Sequence, residues 1–143
     1  MAPPPDYLEP TFGQRILARL LDGLILLVPL VVLAWTLGRV GSLVGLLVTA
    51  AYEINYIARD GQTIGKRVLG VRVVDAATGA TPTTAQATKR WAMLGGLGWV
   101  LSVFIPLLGI VYDIAVLVLV VRPPLHQGPH DLVGGTIVTR VAH

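Results

Sequence analysis

Two long apolar runs dominate the first part of the chain. Residues 16–37 and 40–58 are almost entirely hydrophobic. The short connection between them consists of Gly38 and Arg39, with Gly41 and Ser42 at the start of the second run. A helix of about 20 residues is long enough to cross the hydrocarbon core of a bilayer. The pattern therefore predicts an all-α membrane protein that begins with two full transmembrane helices joined by a tight turn.

A third apolar block, residues 91–121, is long for one membrane span and short for two. Pro106 and Gly109 lie at its centre, where proline interrupts helical hydrogen bonding. We expect a Pro-broken helical hairpin with arms at 91–105 and 107–121. One long third span remains the alternative.

Between the second and third apolar blocks the periodicity changes. In VRVVD, Val71 and Val73 fall on one side of an extended segment and Arg72 on the other, which is typical of a strand. TIVTRV, residues 136–141, is a second β-prone stretch. We predict that the β-prone segments 61–79 and 132–141 form a short cytoplasmic β-hairpin.

Composition supports a membrane protein. The chain is 54% hydrophobic and 13% charged, far from the usual soluble mixture, and its mean hydropathy is +0.72. The start, MAPPPDYLEP, lacks the basic region of a signal peptide, so we do not expect it to be cleaved. Residues 1–10 are predicted to be a disordered proline-rich arm that precedes one membrane domain at 11–141. The chain has no cysteine, which excludes disulfides and thiolate chemistry.

The distribution of basic residues predicts the topology. The segment between the second and third apolar blocks carries six basic residues, whereas the 38–42 connection carries only Arg39. Because basic loops remain in the cytoplasm, the N-terminus should be cytoplasmic. If residues 91–121 form the expected helical hairpin, the C-terminus should be cytoplasmic too. Four of the basic residues should contact anionic lipid headgroups: Arg59, Lys66, Arg67 and Arg72. No basic face with interleaved aromatic residues indicates nucleic-acid binding.

Four ionisable residues fall within the apolar segments: Arg19, Asp22, Glu53 and Asp113. Charges facing lipid are costly, so these side chains should face the interior. One hypothesis is an ion- or proton-binding cavity. The other is a set of ion pairs that fix the helices, with Arg19 pairing with Asp22 along the first helix and Arg15 pairing with Asp131.

Other motifs do not indicate catalysis or a bound metal. His126 and His130 are four residues apart, but Gly128 and Pro129 between them prevent a shared helical face. GQTIGKR lacks the spacing of a phosphate-binding loop. No nucleophile, base and orienting group can be assembled, so we expect no enzyme, no cofactor and no metal site.

Three segments together resemble the RDD family of small bacterial integral membrane proteins: RILARLLD at 15–22, GQTIGKRVLGVRVVD at 61–75 and HDLVGGTIV at 130–138. The resemblance covers residues 11–141 and implies that Arg15, Asp22 and Asp131 carry the family's arginine and two aspartates. Some members are linked to sodium/proton exchange, and others are domains attached to larger membrane proteins. The resemblance also implies the bacterial cell membrane as location.

Two functions follow as expectations. A glycine-rich hydrophobic surface such as LGGLG at 94–98 permits close helix packing, which favours a structural or accessory role beside other membrane-protein subunits. The alternative is a cation/proton (Na+/H+) antiporter, or another small-solute transporter, that uses the intramembrane carboxylates. No sequence repeat of the kind common in carriers is visible.

Overall fold

The protein is described by a computed structural model that covers residues 4–121 and 126–141. The chain is mostly helical, with one small sheet. Its elements, in order, are α1 (Phe12–Asp60), α2 (Ile64–Val68), β1 (Val71–Asp75), α3 (Thr84–Trp91), a π-helical turn (Ala92–Gly96), α4 (Leu97–Phe104), α5 (Pro106–Val121), α6 (Pro129–Gly134) and β2 (Thr136–Arg140).

The first element, α1, is a helical hairpin bent at Gly38. Thr11 caps its start, and Gly38 has non-helical angles (φ 55°, ψ −128°) that glycine adopts readily. The two arms return so close together that a Cβ on Gly41 would lie 1.9 Å from the carbonyl oxygen of Leu33. By length and composition Phe12–Asp60 can cross a membrane. In its most apolar stretch of 18 residues, only 11% of the residues are buried within the protein.

Residues 84–121 contain the predicted break. α3, the π-helical turn and α4 follow one another, and helical geometry ends at Ile105 (φ −141°, ψ 81°), directly before Pro106 begins α5. α4 and α5 then pack antiparallel, since Gly109 lies against Ser102 and the Tyr112 ring lies against Gly98. This segment is a helical hairpin, as the Pro106 pattern predicted.

The sheet has two antiparallel strands, with Val71 opposite Arg140 and Asp75 opposite Thr136. The sequence prediction of strands at these positions is confirmed. The predicted β-hairpin is wrong in its connection, because residues 76–135 separate the strands and contain α3 to α6. The sheet therefore joins two distant parts of the chain.

The buried core lies at one end of the helices. Its largest cluster combines Ala18 and Ile57 of α1 with both strands and with Ala87 of α3. A second cluster of Val74, Ala76 and Ile137 packs against Tyr7. This end of the molecule, formed by α2, β1, α3, α6, β2 and the adjoining ends of α1, is called the polar end below because most buried charges also lie there.

The described part of the predicted N-terminal arm contacts the sheet. Residues 4–10 form no helix or strand, but the Leu8 amide donates to Thr139 Oγ1 at 3.0 Å, and the Arg140 amide donates to the Leu8 carbonyl at 2.8 Å. Residues 1–3 of the predicted arm lie outside the described residues. The contacts place the chain just before α1 along the outer edge of β2.

Candidate functional site

Asp22 is the centre of one buried polar cluster. Its side chain is only 4% exposed, and its carboxylate accepts hydrogen bonds from the Tyr52 hydroxyl (2.7 Å), the Thr63 hydroxyl (2.6 Å) and the Gly65 amide (2.8 Å). Lys66 Nζ lies 3.8 Å away. Asp22 thus ties both arms of α1 to α2, with donors that satisfy both carboxylate oxygens.

Glycine at position 65 allows this approach. A Cβ there would lie 2.3 Å from the Ala18 carbonyl oxygen and 2.9 Å from Asp22 Oδ1. The GQTIGKR segment therefore uses its second glycine to bring a backbone amide onto a carboxylate of α1.

The predicted pairing of Arg19 with Asp22 is wrong. Arg19 Nη1 instead donates to Glu53 Oε2 at 3.1 Å, across the hairpin. The physical reason is that Asp22 is already surrounded by nearer donors from α1 and α2, whereas Glu53 on the returning arm offers an oxygen at the level of Arg19. Glu53 Oε1 is buried and has no hydrogen-bond partner among the residues that the structure describes.

Asp131 is the centre of a second buried cluster. It pairs with Arg90 Nη1, accepts from the Thr136 hydroxyl (3.2 Å) and the Gly128 amide (3.3 Å), and lies 3.3 Å from His130 Nε2. The Arg90 and Asp131 side chains are 3% and 1% exposed. This pair fixes α6 against the end of α3.

The predicted pairing of Arg15 with Asp131 is also wrong. Arg15 Nη1 donates to the His126 carbonyl at 2.6 Å, and Nη2 lies 3.4 Å from the Val138 carbonyl. Arg90 occupies the position at Asp131 because α3 packs directly on α6. Arg15 still ties α1 to the chain around β2, as expected, but through backbone oxygens.

Burial shifts the pKa values of several groups at the polar end. It lowers the pKa of Lys66 to about 8 and that of Arg90 to about 10, although nearby Glu53 opposes both shifts. The pKa of His130 is well below its usual value, first because of burial and then because of Arg90. His130 is therefore neutral at pH 7, whereas Lys66 and Arg90 remain charged.

The four residues predicted to contact lipid headgroups differ in exposure. Arg59 and Arg67 are exposed, and both pair with Asp60. The prediction is wrong for Lys66, which is buried beside Asp22, whereas Arg72 is half-buried and donates to Thr81. The close approach of α2 to α1 turns Lys66 inward, and Arg72 lies on the opposite face of β1 from the buried Val71 and Val73.

Two cavities adjoin the clusters. One, of about 440 Å3, lies between the arms of α1 and the segment 91–99, with Arg19, Asp22 and Glu53 in its lining. The other, of about 220 Å3, lies between α1, α5 and α6 and is lined by Arg15, Arg19, Lys66, Arg90, Asp113, His130 and Asp131 together with apolar side chains. All the predicted signature and intramembrane charges therefore line one or both cavities.

Several of the residues that contact Asp22 or Asp131 were not predicted from the sequence: Tyr52, Thr63, Lys66, Arg90 and Thr136. A signal existed for Lys66 and Arg90, because each stands beside an apolar segment where its charge needs a partner. No signal existed for the two hydroxyl residues Thr63 and Thr136.

Within residues 4–121 and 126–141, no group of three or more His, Asp or Glu side chains is arranged to hold a metal ion. His126 Nε2 lies 2.7 Å from Glu9 Oε1, and His130 faces Asp131. Both histidines thus contact a single carboxylate each.

Comparison with known families gives one finding. The model of a family described as the RDD family matches residues 9–135, which is most of the chain and includes Arg15, Asp22 and Asp131. No curated protein and no solved structure matches the chain.

Proposed function

The chain belongs to the RDD family, and we propose that it is a small multi-pass protein of the bacterial inner membrane that serves as an accessory subunit of a larger membrane-protein complex. The family and the apolar α1 suggest a membrane protein. The accessory role rests on the surface of α5.

Asp113 is the observation that supports a partner. It is exposed in the middle of the apolar helix α5, where it shares one helical face with the exposed side chains of Ile110, Ile114 and Leu117. Asp113 also lies at the rim of the cavity between α1, α5 and α6, and a carboxylate that lacks a partner at this depth costs a few kcal/mol. A neighbouring subunit that donates a hydrogen bond to Asp113 would remove this cost and bury the apolar side chains around it.

The proposed topology follows from the arrangement of the two helical hairpins. The bends at Gly38 and Ile105 lie far from the polar end, which carries the sheet, α2 and α6. We propose that α1 crosses the membrane twice, that the α4–α5 hairpin enters from the same side, and that the polar end is cytoplasmic because it holds most basic residues.

Thiol labelling tests this topology, since the chain has no native cysteine. Arg39→Cys and Arg59→Cys are matched variants, because both replace an exposed arginine. A membrane-impermeant maleimide should label Arg39→Cys in intact cells and should label Arg59→Cys only after permeabilisation. Equal labelling of both in intact cells would refute the two crossings of α1.

Purification in mild detergent from the native membrane tests the accessory role. The wild-type chain should migrate on a native gel with a partner in fixed stoichiometry, and Asp113→Asn should release it as a folded single chain. Asp6→Asn makes the same chemical change on the N-terminal arm and should leave the complex intact. A chain that always migrates alone, or a complex unaffected by Asp113→Asn, would contradict the proposal.

A second candidate, cation/proton exchange, is favoured by Glu53. Within residues 4–121 and 126–141 its buried Oε1 has no hydrogen-bond partner, and Glu53 lines the cavity of about 440 Å3. Asp22, by contrast, is fully hydrogen-bonded, so Glu53 is the better candidate for binding a cation. Proteoliposomes should then show sodium-driven proton movement that Glu53→Gln abolishes. Flux that is absent, or unchanged in the variant, would refute exchange.

A further inference from the structure

The cavity between α1, α5 and α6 has a charged end and an apolar end. At the charged end lie Arg15, Lys66 and Arg90, with neutral His130 beside them. Towards the membrane interior the lining becomes apolar, with Val116, Leu117 and Val120 on one face of α5 and Ile16 and Leu94 opposite. A cavity of about 220 Å3 with this polarity can hold part of an amphipathic molecule.

The acids near the charged end already have partners. Asp22 is held by α2, Glu53 pairs with Arg19, and Asp131 pairs with Arg90. Asp113 lies at the far rim of the cavity, eight residues before the end of α5. Among the described residues no carboxylate lies within 4.0 Å of the Arg15 guanidinium, which donates to the carbonyl oxygens of His126 and Val138.

Two guanidinium groups at this cavity also have an unused N–H donor. Arg15 Nε and Arg90 Nε are both buried and have no hydrogen-bond acceptor among the described residues. Arg90 is 3% exposed, so its Nε is far from bulk water. Because a buried N–H without an acceptor destabilises the fold, an acceptor with several oxygens would stabilise this end of the cavity.

The chemistry of such an acceptor is that of a phosphate. Guanidinium groups bind phosphate oxygens through paired, charge-assisted hydrogen bonds. Arg15 stands four residues into α1, at the edge of the apolar segment, which is the depth of lipid headgroups. A free phosphate would use the arginines but would leave the apolar lining from α5 without a contact.

We propose that this cavity binds one anionic glycerophospholipid, with its phosphodiester group at Arg15 and Arg90 and its glycerol and upper acyl chain against Val116, Leu117 and Val120. The site differs from the exposed arginines of the surface, because it is a cavity between α1, α5 and α6. The proposal rests on the membrane location in the proposed function and is independent of a partner subunit.

Native mass spectrometry of the purified full chain in a neutral detergent tests the site. Dioleoylphosphatidylglycerol should bind at one equivalent, and dioleoylglycerol, which has the same chains without the phosphate, should not. Arg15→Gln should weaken phosphatidylglycerol binding about tenfold. Arg39→Gln removes the same charge from an exposed position at the bend of α1 and should leave the affinity unchanged.

A second variant separates the lipid from a free anion. Val116→Phe fills the apolar end without changing a charge, so it should weaken phosphatidylglycerol binding even if Arg15→Gln fails to fold. Four results would overturn the proposal: unchanged affinity in Arg15→Gln, unchanged affinity in Val116→Phe, equal loss in Arg39→Gln, or displacement of the lipid by millimolar inorganic phosphate. The last result would identify a site for the free anion. Labelling of Arg39→Cys and Arg59→Cys reports separately on the membrane topology.

Discussion

The polar end and the apolar hairpins of this protein are stabilised in opposite ways. At the polar end Ile57, Val73 and Ile137 are completely buried, and charged side chains such as Asp131 are buried with them. Along α1 and the α4–α5 hairpin, large apolar side chains remain exposed, for example Trp35 at 91% and Phe104 at 76%. Under the proposed membrane location lipid would solvate the hairpins, whereas specific polar contacts determine how the connecting segments dock onto them.

The largest expected effect comes from removing a buried charge at the polar end. Asp131→Leu should lower the free energy of unfolding by about 3–5 kcal/mol, because it leaves Arg90 buried without a counter-charge. Denaturant titration in one detergent measures this loss. Arg90→Leu combined with Asp131→Leu should cost less than the sum of the two single changes.

Arg15→Met with Asp131→Leu provides the matched comparison. Since Arg15 contacts carbonyls and not Asp131, the two losses should add to within about 0.5 kcal/mol. A strong coupling between Arg15 and Asp131, with none between Arg90 and Asp131, would refute the arrangement of the polar end described above.

A smaller effect separates close packing at the polar end from that in the hairpins. Gly65→Ala should destabilise the fold by about 1–3 kcal/mol, since the new Cβ would overlap the Ala18 carbonyl and displace the amide that binds Asp22. Gly98→Ala is the control in α4, where a Cβ would lie 3.6 Å from the Tyr112 ring, an ordinary contact. It should be neutral or slightly stabilising. Equal losses in thermal unfolding would show that the two regions tolerate added volume alike.

A gradual effect is the pH dependence from Lys66. Burial lowers its pKa from 10.5 to about 8 in the folded chain, so between these values the unfolded chain binds more protons than the folded one. Stability should therefore rise with pH through this window, by at most about 1.4 kcal/mol per pH unit, and should not change below it on account of this group.

Lys66→Met should remove that slope, because methionine retains the apolar stem without the titrating amine. The measurement is the unfolding free energy of both proteins at a series of pH values above neutrality. An identical rise in the variant would assign the pH dependence to other groups.

Much of the fold could be predicted because its signals are local. The apolar runs, the break at Pro106 and the alternation in VRVVD each depend on a few consecutive residues, and each corresponds to a helix, a helix end or a strand. The pairing of VRVVD with TIVTR was also predictable, since both segments are short, β-prone and outside the long apolar runs. Their connection was predicted wrongly, because four helices lie between them.

The ion-pair partners could not be predicted from spacing. Arg19 and Asp22 have helical spacing, but the returning arm of α1 brings Glu53 to Arg19, and α2 brings Gly65 and Thr63 to Asp22. Likewise, Arg90 reaches Asp131 only because α3 packs on α6. Partner choice among several charges depends on the packing of distant segments, which sequence spacing does not describe.

The pairing of β1 with β2 has a consequence for the order of folding. β1 is synthesised before α3, α4 and α5, and its edge remains without its partner until all three have been made. Arg90 likewise lacks its partner Asp131 until α4 and α5 have been synthesised. Synthesis of the α4–α5 hairpin must therefore precede closure of the sheet, so that strand pairing is a late step in the folding of the chain.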